Sequence, residues 1–275
     1  MTLTYESYTA CGAPTSISAS GIIAPNGTFN VSWSGATGGN ANSINGYDIY
    51  YLISSGGTAP STSNYSGKVS ITSTSASGNT NISLSNATRG YKVVCGVVTK
   101  GGAGSGYYSN IKTGGSVTIN TLPDPPTISG TNGLVSSTAT VSVSASPGSD
   151  KDGQTTTVYY NTSNNSSTAS KYTSPLTGLS AGSSVTYYFW TYDGLEFSSA
   201  ASRTVTRNSE PTVGINVSGT QITSTKSKSN YPYIISPTIT ATKGVNGQSS
   251  NNKYTFKIYY GTSPSSLSST KTFSA

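Results

Sequence analysis

The chain is 275 residues long, carries a formal charge of +7 from 15 Lys+Arg against 8 Asp+Glu, and contains no His, 2 Cys and 1 Met. Without His there is no Ser-His-Asp or Cys-His nucleophile arrangement, two cysteines cannot make a four-ligand zinc site, and no apolar run reaches the roughly 18 residues of a membrane-spanning helix. Charged residues are 8% of the chain, yet 20 Tyr and a 33% apolar fraction suit a folded, half-buried β surface better than disorder.

Residues 1–13 lack the basic n-region and apolar h-region of a secretory signal. With Tyr5 and Tyr8 they form a separate segment ahead of the first module. The first module is expected over 14–120. Ile17 lies on its opening strand, and Phe29, Val31 and Trp33 alternate inward on the second, with Asn30 and Ser32 outward. Tyr47, Ile49 and Tyr51 follow on the third strand, and Leu84 leads to Tyr91, Val93, Cys95 and Val97 on a late one. Tyr107 and Tyr108, after the glycine-rich stretch 101–106, are predicted to open the last strand. They are also the best surface candidates for binding, since exposed Tyr/Ser/Gly/Asn loops bind proteins and glycans. Cys11 and Cys95 are expected to be free thiols, Cys95 buried in the core.

Thr121-Leu122-Pro123-Asp124-Pro125-Pro126 and Asn208-Ser209-Glu210-Pro211-Thr212 read as short, stiff junctions, because proline lacks a ladder donor. Between them, 121–208 is expected to be a second module. Val141 and Val143 alternate there, and Leu179 precedes Val185, Tyr187 and Phe189, with Trp190 on the same late strand. The remainder, 209–275, offers strands at Ile234-Ile235, Thr238–Thr242 and Tyr254–Tyr260. It ends too soon after them to close a sandwich, so a partial module is expected, either truncated or completed by a strand from another chain. One phrase recurs in all three units, at Tyr50-Tyr51, Tyr159-Tyr160 and Tyr259-Tyr260, a spacing that suits one small sandwich domain.

Trp33 on the second strand, Gly46-Tyr47 opening the third, and Leu84 ahead of Tyr91 together resemble a fibronectin type III domain, whose Leu and Tyr form a "tyrosine corner". The second unit looks more loosely immunoglobulin-like. The fold class is therefore all-β: tandem immunoglobulin-like or fibronectin type III β-sandwiches, the third incomplete.

Site chemistry is sparse. The close acid pairs, Asp150/Asp152 and Asp193/Glu196, sit in glycine-containing turn sequence. Asp150 and Asp152, with a Lys between them, are a weak calcium set, and a plain turn is the preferred reading. No phosphate loop appears. The last unit holds six Lys against one Glu, but Lys226-Ser227-Lys228 is too thin for a nucleic-acid groove. No catalytic residue, metal, cofactor, nucleic-acid partner or membrane insertion is expected.

Tandem sandwiches with a sparsely charged Ser/Thr/Gly/Asn surface resemble modules of bacteriophage virion proteins: tail fibres, baseplates and capsid decorations. That resemblance implies a non-catalytic structural or adhesion role on the virion. The N-terminal segment 1–13, with Tyr5 and Tyr8, would serve as the anchoring segment to other virion proteins, distal modules would touch a host-surface glycan or protein, and copies would form a homo-oligomer or symmetric array. The alternative is a secreted bacterial adhesin at the cell surface, or spacer modules of a polysaccharide-degrading enzyme.

Overall fold

A computed structural model of the chain describes residues 8–40, 42–102, 104–130 and 143–207, and the backbone of strands at 133–135, 212–221, 233–242, 255–260 and 269–274. Strands dominate, and helix among the described residues is confined to two three-residue 3-10 turns.

The first module contains β1 (Ser16–Ser18), β2 (Ile22–Ile23), β3 (Thr28–Ser34), β4 (Ile44–Ser54), β5 (Gly67–Ile71), β6 (Gly78–Ser83), β7 (Lys92–Gly101) and β8 (Lys112–Ile119). They make two sheets, ordered β1-β3-β6 and β2-β8-β7-β4-β5, packed face to face. Strict alternation on β3 turns Phe29, Val31 and Trp33 inward and leaves Asn30 exposed. Asn30 then donates across the outer face to Asn81 Oδ1 at 2.9 Å. Opposite β3, the other sheet contributes Tyr47, Ile49, Val93, Cys95, Val97 and Val117 to one continuous core. Trp33 and Tyr47 meet at its centre, their rings 4.8 Å apart. Burying side chains of this size stabilises the module by about 1.5–3 kcal/mol each before the entropy of ordering them is subtracted. Gly78 sits in register with Trp33. A Cβ there would come within 2.7 Å of the indole, so a side chain at 78 would displace the ring.

Tyr107 and Tyr108 do not open the last strand. Ser105–Tyr107 is a 3-10 turn, and β8 begins only at Lys112. Alternation could not show this, because backbone contacts from outside the hairpin hold the turn: Cys11 N–H donates to the Tyr107 carbonyl at 2.9 Å.

The second module contains β9 (Thr127–Ser129), β10 (Gly133–Val135), β11 (Ser144–Ser146), β12 (Thr157–Asn161), β13 (Ser170–Lys171), β14 (Ser184–Tyr192) and β15 (Ala201–Arg207). The sheet β10-β15-β14-β12-β13 faces the pair β11-β9 across a smaller core of Val143, Val158, Leu176, Leu179, Tyr187, Phe189 and Val205. Aromatic edges fill in around it: Tyr172 meets Phe189 edge-on at 5.3 Å, and Tyr160 stacks over Phe189 at 6.3 Å. Trp190 lies on the opposite phase of β14, stacked with Tyr188 at 6.3 Å and nearly buried. The repeated Tyr-Tyr phrase occupies corresponding strands: β4 pairs with the long β7, and β12 pairs with the long β14.

In the third unit, β16 (Thr212–Gln221) pairs antiparallel with β17 (Tyr233–Thr242), and β18 (Thr255–Tyr260) with β19 (Ser269–Ser274). Ile234-Ile235 and Thr238–Thr242 fall on one strand instead of two. Pro237 does not break it, since in a two-stranded ribbon its missing donor can face away from the partner. Of Tyr254–Tyr260, Thr255–Tyr260 is strand and Tyr254 lies outside the described residues; two strands, at Thr212–Gln221 and Ser269–Ser274, were not anticipated from alternation alone.

Candidate functional site: the exposed end of the first module and the module junction

At one end of the first module, the N-terminal segment folds onto the module's own loops. Gly12 bridges Thr37, Thr9 Oγ1 accepts from Asn40 N–H at 2.8 Å, and Thr9 N–H donates to Asn40 Oδ1. Gly39 permits this approach, since a Cβ there would lie 1.9 Å from the Thr9 carbonyl oxygen. Tyr8 and Tyr107, both singled out from the sequence, come together edge to face at 5.7 Å. Tyr8 is 41% exposed and Tyr107 half-buried. Tyr108 is half-buried too, but it is not part of that ring pair; Tyr5 lies outside the described residues. The result is an uncharged Tyr/Thr/Asn/Gly rim suited to hydroxyl and amide hydrogen bonding.

On the outer face of the same module, Asp48 is buried between two lysines, with Lys100 Nζ at 3.4 Å and Lys68 Nζ at 3.5 Å. Ser70 Oγ donates to its Oδ1 at 2.6 Å. Burial pushes the Asp48 carboxyl up, but the Ser70 hydroxyl and the two ammonium groups outweigh it and hold it below its ordinary value. Lys68 also caps the ring of Tyr50, 5.7 Å from its centre, and Tyr65 meets that ring edge-on at 5.0 Å. Alternation marks Asp48 simply as an outward residue, so its two lysine partners were not anticipated.

The opposite end of the first module meets the second. Arg89 forks onto Glu196, with Nη2 donating to Oε1 at 2.7 Å and Nη1 to Oε2, while Nη1 also reaches the Asn120 carbonyl at 3.2 Å. Asn120, fully buried, donates through Nδ2 to both Asp193 Oδ2 and Glu196 Oε2 at 3.0 Å. Asp193 Oδ1 in turn accepts the N–H groups of Leu195 and Glu196 at 2.7 Å, fixing the loop. Thr121 donates N–H and Oγ1 to Asp152 Oδ2 at 2.6 and 2.7 Å. Hydrogen bonds from Arg89 lower the Glu196 carboxyl, opposed by burial and helped by Asn120. Both acidic turns of the sequence therefore converge on one junction. Arg89 and Asn120, which complete it, were not anticipated, as each lies more than seventy residues from Glu196.

Both cysteines are free and buried. Burial pushes the Cys95 thiol up to about 12, which makes it inert in the folded chain. A groove of about 520 Å³ opens in the second module beside Tyr160, Tyr187, Pro175 and Leu176, with Thr162 and Ser183 on its lining.

No family model matches the chain, and no curated protein matches it. Among solved structures it is similar to the fibronectin(III)-like modules of CbhA from Clostridium thermocellum, at 13% identity and a TM-score of 0.33, covering 72% of this chain and 93% of that one. It is also similar to the FN1–FN3 domains of chicken CNTN1, at 13% identity and a TM-score of 0.32, covering 72% and 67%. The architecture itself, an all-β tandem of two-sheet sandwich modules, rests on the sheets and cores described above.

Proposed function

We propose that the chain is a non-catalytic structural and adhesion protein: a string of sandwich modules held at a fixed angle and displaying an uncharged Tyr/Asn/Thr end. More narrowly, we place it on a bacteriophage virion, as a tail-fibre, baseplate or capsid-decorating component. There it would be present in many copies bound to other virion proteins and would contact a host-surface glycan or protein. The observation that supports the reading is the junction. Arg89 and Asn120 of the first module pair with Glu196 and Asp193 of the second, and Thr121 of the linker is held by Asp152, contacts that suit a braced rod. A rod of that kind serves to hold a terminal surface away from its base, and it needs no reacting groups.

The test is direct imaging of native phage particles with antibody raised against the chain. Label repeating with the symmetry of the head or tail supports the virion reading. Label found on bacterial cell surfaces, or on a secreted polysaccharide-degrading enzyme, establishes the alternative and removes the virion one.

A further inference from the structure

Among the described residues, the buried side-chain polar atoms that lack a hydrogen-bond partner include three oxygens of the module junction: Asn120 Oδ1, Asp150 Oδ2 and Gln154 Oε1. Their placement is tied together by hydrogen bonds. Asp150 Oδ1 accepts the N–H of Asp152 at 2.8 Å and of Gln154 at 3.1 Å, which curls the turn around the carboxyl and leaves Oδ2 buried and unpaired. Gln154 brings its own buried oxygen from that same turn. Asn120, 0% exposed, immediately precedes Thr121, whose N–H and hydroxyl hold Asp152. A buried carboxylate oxygen and two buried amide oxygens, all acceptors, are costly without a positive partner. A water has two protons to give and can serve only two of them. No group of three or more His, Cys, Asp or Glu gathers among the described residues, so amide oxygens make up most of this set.

We infer that the turn Asp150–Gln154, together with Asn120, forms a calcium site across the junction of the first two modules. Residues 150, 152 and 154 present oxygen-bearing side chains at every second position of one tight turn, and Asn120 adds an oxygen from the preceding module. Calcium suits such a set because it takes mixed carboxylate, amide and backbone oxygens with water in flexible geometry. Magnesium demands a near-octahedral shell and keeps its waters. With few carboxylates, the affinity falls in the weak extracellular range, a Kd of about 10⁻⁴–10⁻³ M. The ion would draw Asn120 toward the turn and stiffen the joint.

The experiment is titration of the EDTA-treated full chain with CaCl2, and separately with MgCl2, followed by amide NMR. Saturable calcium shifts centred on residues 120–124 and 150–154 are expected, with magnesium ineffective over the same range. Asp150→Asn keeps an oxygen to accept the two turn N–H groups while removing the charge, and it weakens binding about tenfold or more. Gln154→Glu adds a charge to the set and tightens binding about tenfold. The site is overturned if wild type shows no saturable shift at these amides up to about 10 mM calcium, a concentration well above the expected Kd, or if magnesium acts equally. It is equally overturned if Gln154→Glu binds no tighter and is less stable than wild type in calcium, since Gln154 would then be turning its Nε2 toward Asp150.

Discussion

The first two modules solve one problem in different ways. In the first, two sheets close over a broad core in which Trp33 and Tyr47 form the central contact and Val31, Ile49, Val93 and Val97 fill the layers around them. In the second, the described core is smaller, with Phe189 at its middle, and aromatic edges from Tyr160 and Tyr172 do the filling that aliphatic layers do in the first. The groove beside Leu176 and Tyr187 opens where that filling stops. The difference shows that the sandwich tolerates very different interiors as long as alternation keeps one face apolar. The first module is organised by its interior. The second leans more on polar loop contacts, several of which belong to the junction.

The sharpest way to break this comparison is Trp33→Ala. Removing a nearly fully buried indole should cost about 3–5 kcal/mol and unfold the first module selectively. Differential scanning calorimetry should show one transition lost or lowered while that of the second module stays. Cys95 gives an independent readout, since its buried thiol should react with a maleimide only when the first module opens. An unchanged melting profile would mean that the Trp33–Tyr47 contact is not the centre of that core.

Arg89→Ala probes the joint and should have a smaller effect on stability, about 1 kcal/mol, because the Arg89–Glu196 pair is partly exposed. Its larger effect is geometric. Small-angle scattering should report a wider spread of inter-module angles, with each module's own melting little changed. A variant as rigid as wild type would show that Asn120–Asp193 and Thr121–Asp152 suffice.

The pH dependence separates the same two regions. Glu196 at the junction and Asp48 on the outer face both have carboxyls held below their ordinary values. Carboxyl groups depressed in the folded state contribute stability that is fully present above their unfolded values, about 3.9 for Asp and 4.3 for Glu. That contribution is lost as pH falls through the lower folded values. Denaturant melts should therefore be flat from neutral pH to about 5 and weaken below it. Glu196→Gln should remove the junction's part of the acid loss, and Asp48→Asn the first module's part.

The smallest change in stability is expected for Tyr8→Ala, within about 0.5 kcal/mol because the ring is largely at the surface. If the Tyr8–Tyr107 rim is the contact surface, the same substitution should reduce attachment to host cells strongly in a pull-down. Unchanged attachment would move the contact elsewhere on the chain.

Much of the first module was legible before any coordinates. The alternation of Phe29, Val31 and Trp33 and the run Val93, Cys95, Val97 placed inward side chains correctly, and the free, buried Cys95 followed from the same count. The second module was legible along β14, through Tyr187 and Phe189, but Val141 lies outside the described residues. Illegibility began where position depends on a partner far along the chain. Tyr107 and Tyr108 read locally as a strand start, whereas Tyr107 ends a 3-10 turn whose restraint comes from Cys11. Ile234-Ile235 and Thr238–Thr242, two segments in the sequence, lie on one strand that continues through Pro237.

By itself, the sequence determined an all-β chain of repeating modules, because a side-chain period of two and the placement of Gly and Pro act locally and need no partner to be read. Only the tertiary structure decided that Tyr8 meets Tyr107, that the Asp193–Glu196 turn meets Arg89 and Asn120, and that Asp152 is held by the neighbouring Thr121. Those contacts join loops, where side-chain direction follows no period. Which loops come together is set by how the sheets stack and how one module abuts the next.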